Sequence, residues 1–328
     1  MPSDLQPLRI GIVGAGKIAQ IAELPALSAA PGITIAGVVT EHLSRATDSL
    51  LRWPIERAYE TTEQMIDGAQ LDALFVLTPK NRHTPFVEQG LRAGLDVFCE
   101  KPLATSLTEA QRMAALSDEV NKILMVGFNR RYAEVYQTAH EQVADRPVRF
   151  AVAQKNRPGS EYRATLENAI HMVDLLRWFC GEAIDVTGHS YAPDPYKEEG
   201  AAAMIRFDTG ATGVLVAARC AGDWDERLDL YGDLTSVRVV APDSVAVSRE
   251  GQSVVTEMRP RAMGWADITT TAGFAPAVHH FLDCVRTRRT PLTNGHEAAR
   301  SQELMDRVLS AVGLPQKDDE MRLAAMAR

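Results

Sequence analysis

Short apolar runs recur through the first third of the chain: Leu8–Val13, Ile33–Val39, Ala73–Leu77, Asp96–Cys99 and Ile123–Val126 are rich in Val, Ile and Leu. Helical-looking segments separate them. Apolar strands alternating with helices predict a parallel sheet covered on both faces. Past residue 145 the pattern changes. Strand signals now follow one another closely: Val148–Lys155, Ala183–Tyr191, Ala201–Phe207, Ala211–Arg219, Arg227–Tyr231, Ser236–Val240 and Val245–Ser248. Tight turns such as Asp208-Thr209-Gly210 and Pro242-Asp243 join several of them, which predicts hairpins. Two later segments have helical spacing, Phe274, Ala277, Val278, Phe281, Leu282 and Val285, then Leu304, Met305, Val308, Leu309 and Val312. Gly313 and Pro315 stop the second, and a charged tail follows. The expected fold is a doubly wound α/β domain over residues 1–128. Residues 129–328 are expected to form an α+β domain with an open, largely antiparallel sheet, whose outer face would offer Val214, Val216 and Leu228 to a partner copy.

A length of 328 residues agrees with two domains at roughly 100–200 residues each. Hydrophobic residues make up 45% and charged residues 24%, enough for a folded core. The net charge of −8 gives no general basis for binding nucleic acid or membranes, although a local basic pocket can still exist. No apolar run approaches the ~20 residues needed to span a bilayer, and Met1 to Arg9 lacks the pattern of a secretory signal. Cys99, Cys180, Cys220 and Cys284 are scattered, which argues against structural zinc and a disulfide framework. His279, His280 and Cys284 sit among core-type apolar residues, so a metal is not expected there. A cytoplasmic location follows.

Candidate chemistry begins at Gly14, Gly16 and Ala19, a GxGxxA pattern after a strongly apolar strand and at the opening of a helix. Gly14 permits the tight turn, Gly16 lets a pyrophosphate approach the backbone, and Ala19 lets the helix pack closely. The amides near Lys17 and Ile18 can meet phosphate oxygens. The competing reading is a ligand-free turn. The strand Ile33–Val39 ends at Thr40, where an NAD site commonly has Asp or Glu. Thr40 does not repel a 2′-phosphate, and Arg45 could pair with one. Glu41 argues the other way, because it could accept from the ribose. The balance favours NADP, with NAD still open.

Thr78-Pro79 follows the third apolar run, with His83 four residues beyond Pro79, and Glu100-Lys101-Pro102 follows the fourth. With Gly127–Tyr132, Tyr231–Val237 and Asn294–Ser301, these segments resemble the glucose–fructose oxidoreductase/inositol dehydrogenase (Gfo/Idh/MocA) family over nearly the whole chain. The resemblance implies an N-terminal Rossmann domain and a C-terminal α+β domain whose open sheet mediates oligomerisation, as a homodimer or homotetramer. It also implies NAD(P)-dependent oxidation or reduction of a sugar, cyclitol or related compound. Thr78, Pro79, His83, Glu100 and Lys101 would then lie along the cofactor.

Hydride transfer to or from an alcohol carbon needs a proton carrier for the oxygen and a group that stabilises it as charge develops. Lys101 ends a strand at the edge where ligands bind in such sheets. Glu167, His171 and Asp174 stand at i, i+4 and i+7 of a helical segment, on one face if the helix is regular. By the resemblance His171 moves the proton, with Asp174 binding substrate or orienting the imidazole and Glu167 binding substrate or orienting the ring from one turn before. Glu167 and Ala169 depart from the family's Asp and Gly. A packed histidine bonded to Asp174 is the competing reading. An interdomain cleft is expected to bring Lys101 and His171 to the same substrate. Lys155, Arg157 and Arg163 precede this helix and suggest a pocket for an anionic substrate group, or a loop of solvated charges. A dinucleotide-binding sensor without turnover is the alternative to an enzyme.

Overall fold

The computed structural model describes residues 6–159, 163–194, 196, 198–258 and 267–316. The charged tail and residues 160–162 of the cationic loop lie outside them. Six strands form the first sheet: β1 (Leu8–Val13), β2 (Ile33–Val39), β3 (Ala58–Tyr59), β4 (Ala73–Val76), β5 (Asp96–Cys99) and β6 (Leu124–Val126). All pair in parallel, in the order β3-β2-β1-β4-β5-β6. β4, β5 and β6 are buried at every residue, and β1 and β2 at all but their first two, as expected when helices cover both faces. The two-residue β3 is too short to leave an apolar pattern and was not expected.

Compact packing does not follow a single cut at residue 128. Residues 267–299 cluster with the first unit, and residues 133–258 cluster with 300–316 in the second. An aromatic cluster accounts for much of this. Phe75 of β4 stacks on Phe98 of β5 at 4.8 Å between centroids. Phe281, from the Phe274–Thr287 helix, meets both edge-on at 5.3 and 5.7 Å. Thr293 adds a polar tie by donating to the Val126 carbonyl at 2.7 Å.

The second unit holds an eight-stranded sheet of β7 (Phe150–Asn156), β8 (Ala183–Tyr191), β9 (Gly200–Phe207), β10 (Thr212–Ala218), β11 (Asp225–Gly232), β12 (Thr235–Val240), β13 (Ser244–Arg249) and β14 (Gln252–Glu257). Its order is β14-β13-β12-β11-β7-β10-β9-β8. Every pairing is antiparallel except β7 with β10. β14 is exposed along its whole length, so no buried face marked it in the sequence.

Inward and outward positions alternate cleanly on β10: Gly213, Leu215 and Ala217 are buried, while Val214 and Val216 are partly exposed. On β11 the buried positions are Glu226, Leu228 and Leu230. Leu228 therefore belongs to the inner face, whereas a sequence reading that groups it with Val214 and Val216 on an outer apolar face is one residue out of register.

Candidate active site

The strand order reverses between β1 and β4, and in open parallel sheets ligands bind outside the carboxyl ends of strands at such a point. Gly14 turns the chain there with φ of +96°. Its N–H donates to Val39 O at 2.8 Å. A Cβ on Gly14 would lie 2.7–2.8 Å from the backbone of Leu77 and Thr78, so the position tolerates no side chain. Two residues on, a Cβ at Gly16 would meet nothing within 4 Å. The backbone is thus packed where the turn needs it and open where a pyrophosphate would approach. Lys17 and Ile18 are exposed and open the helix, while Ala19 is buried against the sheet. These residues fit a dinucleotide.

At the end of β2, Thr40 donates its hydroxyl hydrogen to His42 O at 2.7 Å. Glu41 faces the Arg82 guanidinium at 3.4 Å, an unanticipated neighbour, and Arg45 is exposed.

The loops after β4 and β5 are joined by His83. Its Nδ1 lies 2.9 Å from Pro102 O and its Nε2 lies 2.8 Å from Thr78 O. The ring is buried, and burial lowers its pKa more than the two carbonyls raise it. His83 therefore presents both nitrogens to the loops that carry Thr78 and Lys101, and it acts on the site by holding them. Thr78 and Lys101 are half-buried, and Pro79 is exposed.

Glu100 was expected along the cofactor, but its carboxyl turns inward. Oε2 accepts the Lys101 N–H at 3.1 Å, and the carboxyl hydrogen-bonds Glu23 of the first helix. Glu23 is buried, and its pKa is raised well above the ordinary glutamate value, by burial first and then by the charge of Glu100. Burial also raises Glu100, against the lowering effect of Lys101 and Arg130. Two carboxyls in contact away from water favour sharing one proton. Glu23 was missed in the sequence, although its place one turn beyond Ala19 aims it at the sheet.

In the second unit, His171 lies near the start of the helix Ile170–Cys180 and is buried. Glu167 belongs to a wider, π-helical turn at Ala164–Ala169. The i, i+4 relation that would align Glu167 with His171 needs a regular α-helix, so those three residues do not form one regular stripe. Asp174 is buried and accepts from the Ser301 hydroxyl at 2.7 Å, and Ser301 accepts from Arg177 at 2.9 Å. Those contacts anchor the helix.

The three cations have local partners. Lys155 is buried in an ion pair with Glu226, which also accepts from Tyr136 at 2.8 Å. Arg163 lies 3.5 Å from Glu198, itself bonded to Thr165 N at 2.9 Å. Arg157 lies over the Trp224 ring at 4.6 Å. Lys155 and Arg163 therefore bring no net charge of their own to a substrate.

Residues 8–128 match the model of an oxidoreductase family with an NAD-binding Rossmann fold, and residues 134–313 match that family's C-terminal alpha/beta domain. The chain belongs to the Gfo/Idh/MocA oxidoreductase family. It is similar to a putative oxidoreductase, YceM, of Salmonella typhimurium, with 28% identity over 92% of this chain and 97% of that one. Myo-inositol 2-dehydrogenase of Thermotoga maritima is 27% identical over 69% of this chain and 73% of its own length. Among solved structures, a variant of KijD10, a 3-ketoreductase from Actinomadura kijaniata in complex with TDP-benzene and NADP, superposes with a TM-score of 0.78. The identity is 20%, and the match covers 94% of this chain and 98% of that one. This member of the Gfo/Idh/MocA family is thus an oxidoreductase with a nicotinamide dinucleotide cofactor.

The buried carboxyl pair sets an expected pH dependence. Both pKa values are raised in the folded state, so ionising these groups opposes folding as pH climbs from the ordinary value of 4.5 through the raised ones. Glu23→Gln cannot ionise. Denaturant unfolding of both proteins across a pH series should show the variant gaining stability relative to wild type over that interval, with a constant difference below about pH 4. A difference independent of pH would remove the shared proton.

Proposed function

We propose that this oxidoreductase interconverts a hydroxyl and a keto group on a sugar, cyclitol or related compound. The observation that carries the reading is the convergence of Gly14, Gly16, Thr78 and Lys101 at the carboxyl ends of β1, β4 and β5. Family membership and the similarity to an inositol dehydrogenase support it. When bound, the nicotinamide carries the hydride. Gly14, Gly16, Lys17, Ile18, Thr78 and Pro79 hold the dinucleotide, while His83 and Glu100 fix the loops around it.

Lys101 binds the reacting oxygen and stabilises it as negative charge develops. His171 takes the hydroxyl proton in oxidation and returns it in reduction. Asp174 keeps the His171 helix in place through Ser301, and Glu167 is half-exposed on the preceding turn. Such groups typically contribute about 10²–10⁴-fold in rate. Lys101→Ala and His171→Ala should each lower turnover by roughly that factor with cofactor affinity nearly intact, measured by nicotinamide absorbance across a sugar and cyclitol panel. Near-normal turnover in His171→Ala removes the histidine. Binding of NAD(P)H without turnover of any panel member favours a dinucleotide sensor.

The same reading favours NADPH. Thr40 is uncharged, Arg45 is free to reach a 2′-phosphate, and Arg82 offsets the charge of Glu41. Arg45→Ala should weaken NADPH binding and spare NADH in fluorescence titrations. A clear NADH preference in the wild type assigns the ribose to Glu41 instead.

We further infer a cytoplasmic homo-oligomer. All four cysteines are free thiols, which suits a reducing compartment, and no helix of the described residues is long and apolar enough to cross a membrane. The outer sheet face supports assembly: Phe150 and Met204 are 60% and 51% exposed beside Val214 and Val216. Light scattering at micromolar concentration should give a dimer or tetramer, and a monomer would reject the interface.

A further inference from the structure

Arg219 directly follows β10 and continues its buried face, after Gly213, Leu215 and Ala217. That face packs against the π-helical turn Ala164–Ala169, which leads into the His171 helix. Its backbone is pinned on both sides: N donates to Glu199 O at 2.7 Å, and O accepts from Gly159 N at 3.3 Å. The side chain is only 8% exposed. Nε and Nη1 are shielded from solvent with no hydrogen-bond acceptor in reach, and no described carboxylate lies within 4 Å. Other buried cations of this unit differ in having a carboxylate within 4 Å: Lys155 meets Glu226, Arg177 meets Glu182, and Arg163, whose Nε and Nη2 also make no hydrogen bond, lies 3.5 Å from Glu198.

A guanidinium stays charged at any ordinary pH. Burying it without an acceptor is among the most unfavourable arrangements a fold can hold, and native structures pair nearly all such groups. Two further buried groups nearby lack partners. Asn156 Oδ1 is at the end of β7, where Arg157 N bonds Ala218 O beside Arg219, and Asn168 Nδ2 is on the packed π-helical turn. Guanidinium and amide donors together with an amide acceptor match a polyol that carries an oxyanion.

We propose that Arg219 binds an anionic group of the substrate, a carboxylate or a phosphate, with Asn156 and Asn168 meeting neighbouring hydroxyls. This rests on the sugar or cyclitol reading above. It also moves the anion site from the cations singled out in the sequence, which have partners, to one that does not.

The test uses the full chain loaded with its nicotinamide cofactor and substrates that differ only in charge: D-glucose with D-glucuronate and D-glucose 6-phosphate, and myo-inositol with its 1-phosphate. At least one charged member should show a KM tenfold or more below its neutral partner. The glucuronate arm reads a carboxylate, and the phosphate arms read a phosphate. R219M should collapse that ratio toward one through KM rather than kcat, with R219K retaining part of it. Equal KM values in the wild type, or a preference that survives R219M, overturn the proposal. R219K and R219Q, checked by thermal melting, decide the question if R219M does not fold. Should no pair turn over, the sugar reading fails separately. Calorimetry with glucuronate and inorganic phosphate then decides for Arg219: binding lost in R219Q and partly kept in R219K supports the assignment, and no binding to wild type, or equal binding to wild type and R219Q, overturns it.

Discussion

At Gly14 two chain segments come so close that backbone faces backbone. The turn after β1 lies against Leu77 and Thr78, and a single added carbon would fall 2.7 Å from the Leu77 carbonyl carbon. That approach brings the start of the first helix and the loop after β4 to one edge of the sheet. The positive φ and the absent Cβ are both required for it. The arrangement at this edge depends on the contact, since displacing Thr78 would also displace the His83 ring that grips its carbonyl, and with it the Pro102 turn.

Support then passes from loop to loop. His83 sets one ring nitrogen against a backbone carbonyl on each side, donating through the one that carries the hydrogen, and Glu100 accepts from the amide of the residue that carries the candidate catalytic ammonium. These groups place Lys101 through its main chain. Burial keeps a proton on the Glu23–Glu100 pair at pH values where exposed carboxyls have lost theirs. The pair can therefore hydrogen-bond internally without placing two negative charges beneath the lysine.

The sheet architecture was legible because burial wrote it into the sequence. β1, β2 and β5 appear with their observed limits, since strands covered along most of their length need mainly apolar runs. β3 and β14 were not legible, one for its length and the other for its exposure. Leu228 shows how period-2 reading fails when the register is off by one residue. The glycine loop and the Lys101 turn could be read because their geometry limits which residues fit. Charge pairing could not: Lys155 and Glu226 are 71 positions apart, and their pairing exists only once β7 and β11 align.

That failure has a physical consequence for substrate recognition. In an acidic chain, a cation in the sequence tells little about an anion site until its neighbours are known, because a carboxylate brought in by the sheet cancels its field at short range. Lys155 and Arg163 illustrate this, each set against a buried glutamate. A cation left buried without an acceptor is different, since its desolvation has no local compensation. Substrate charge in this fold is therefore governed by which cation the sheet leaves unpaired, and the number of basic residues near the active-site helix is a poor guide to it.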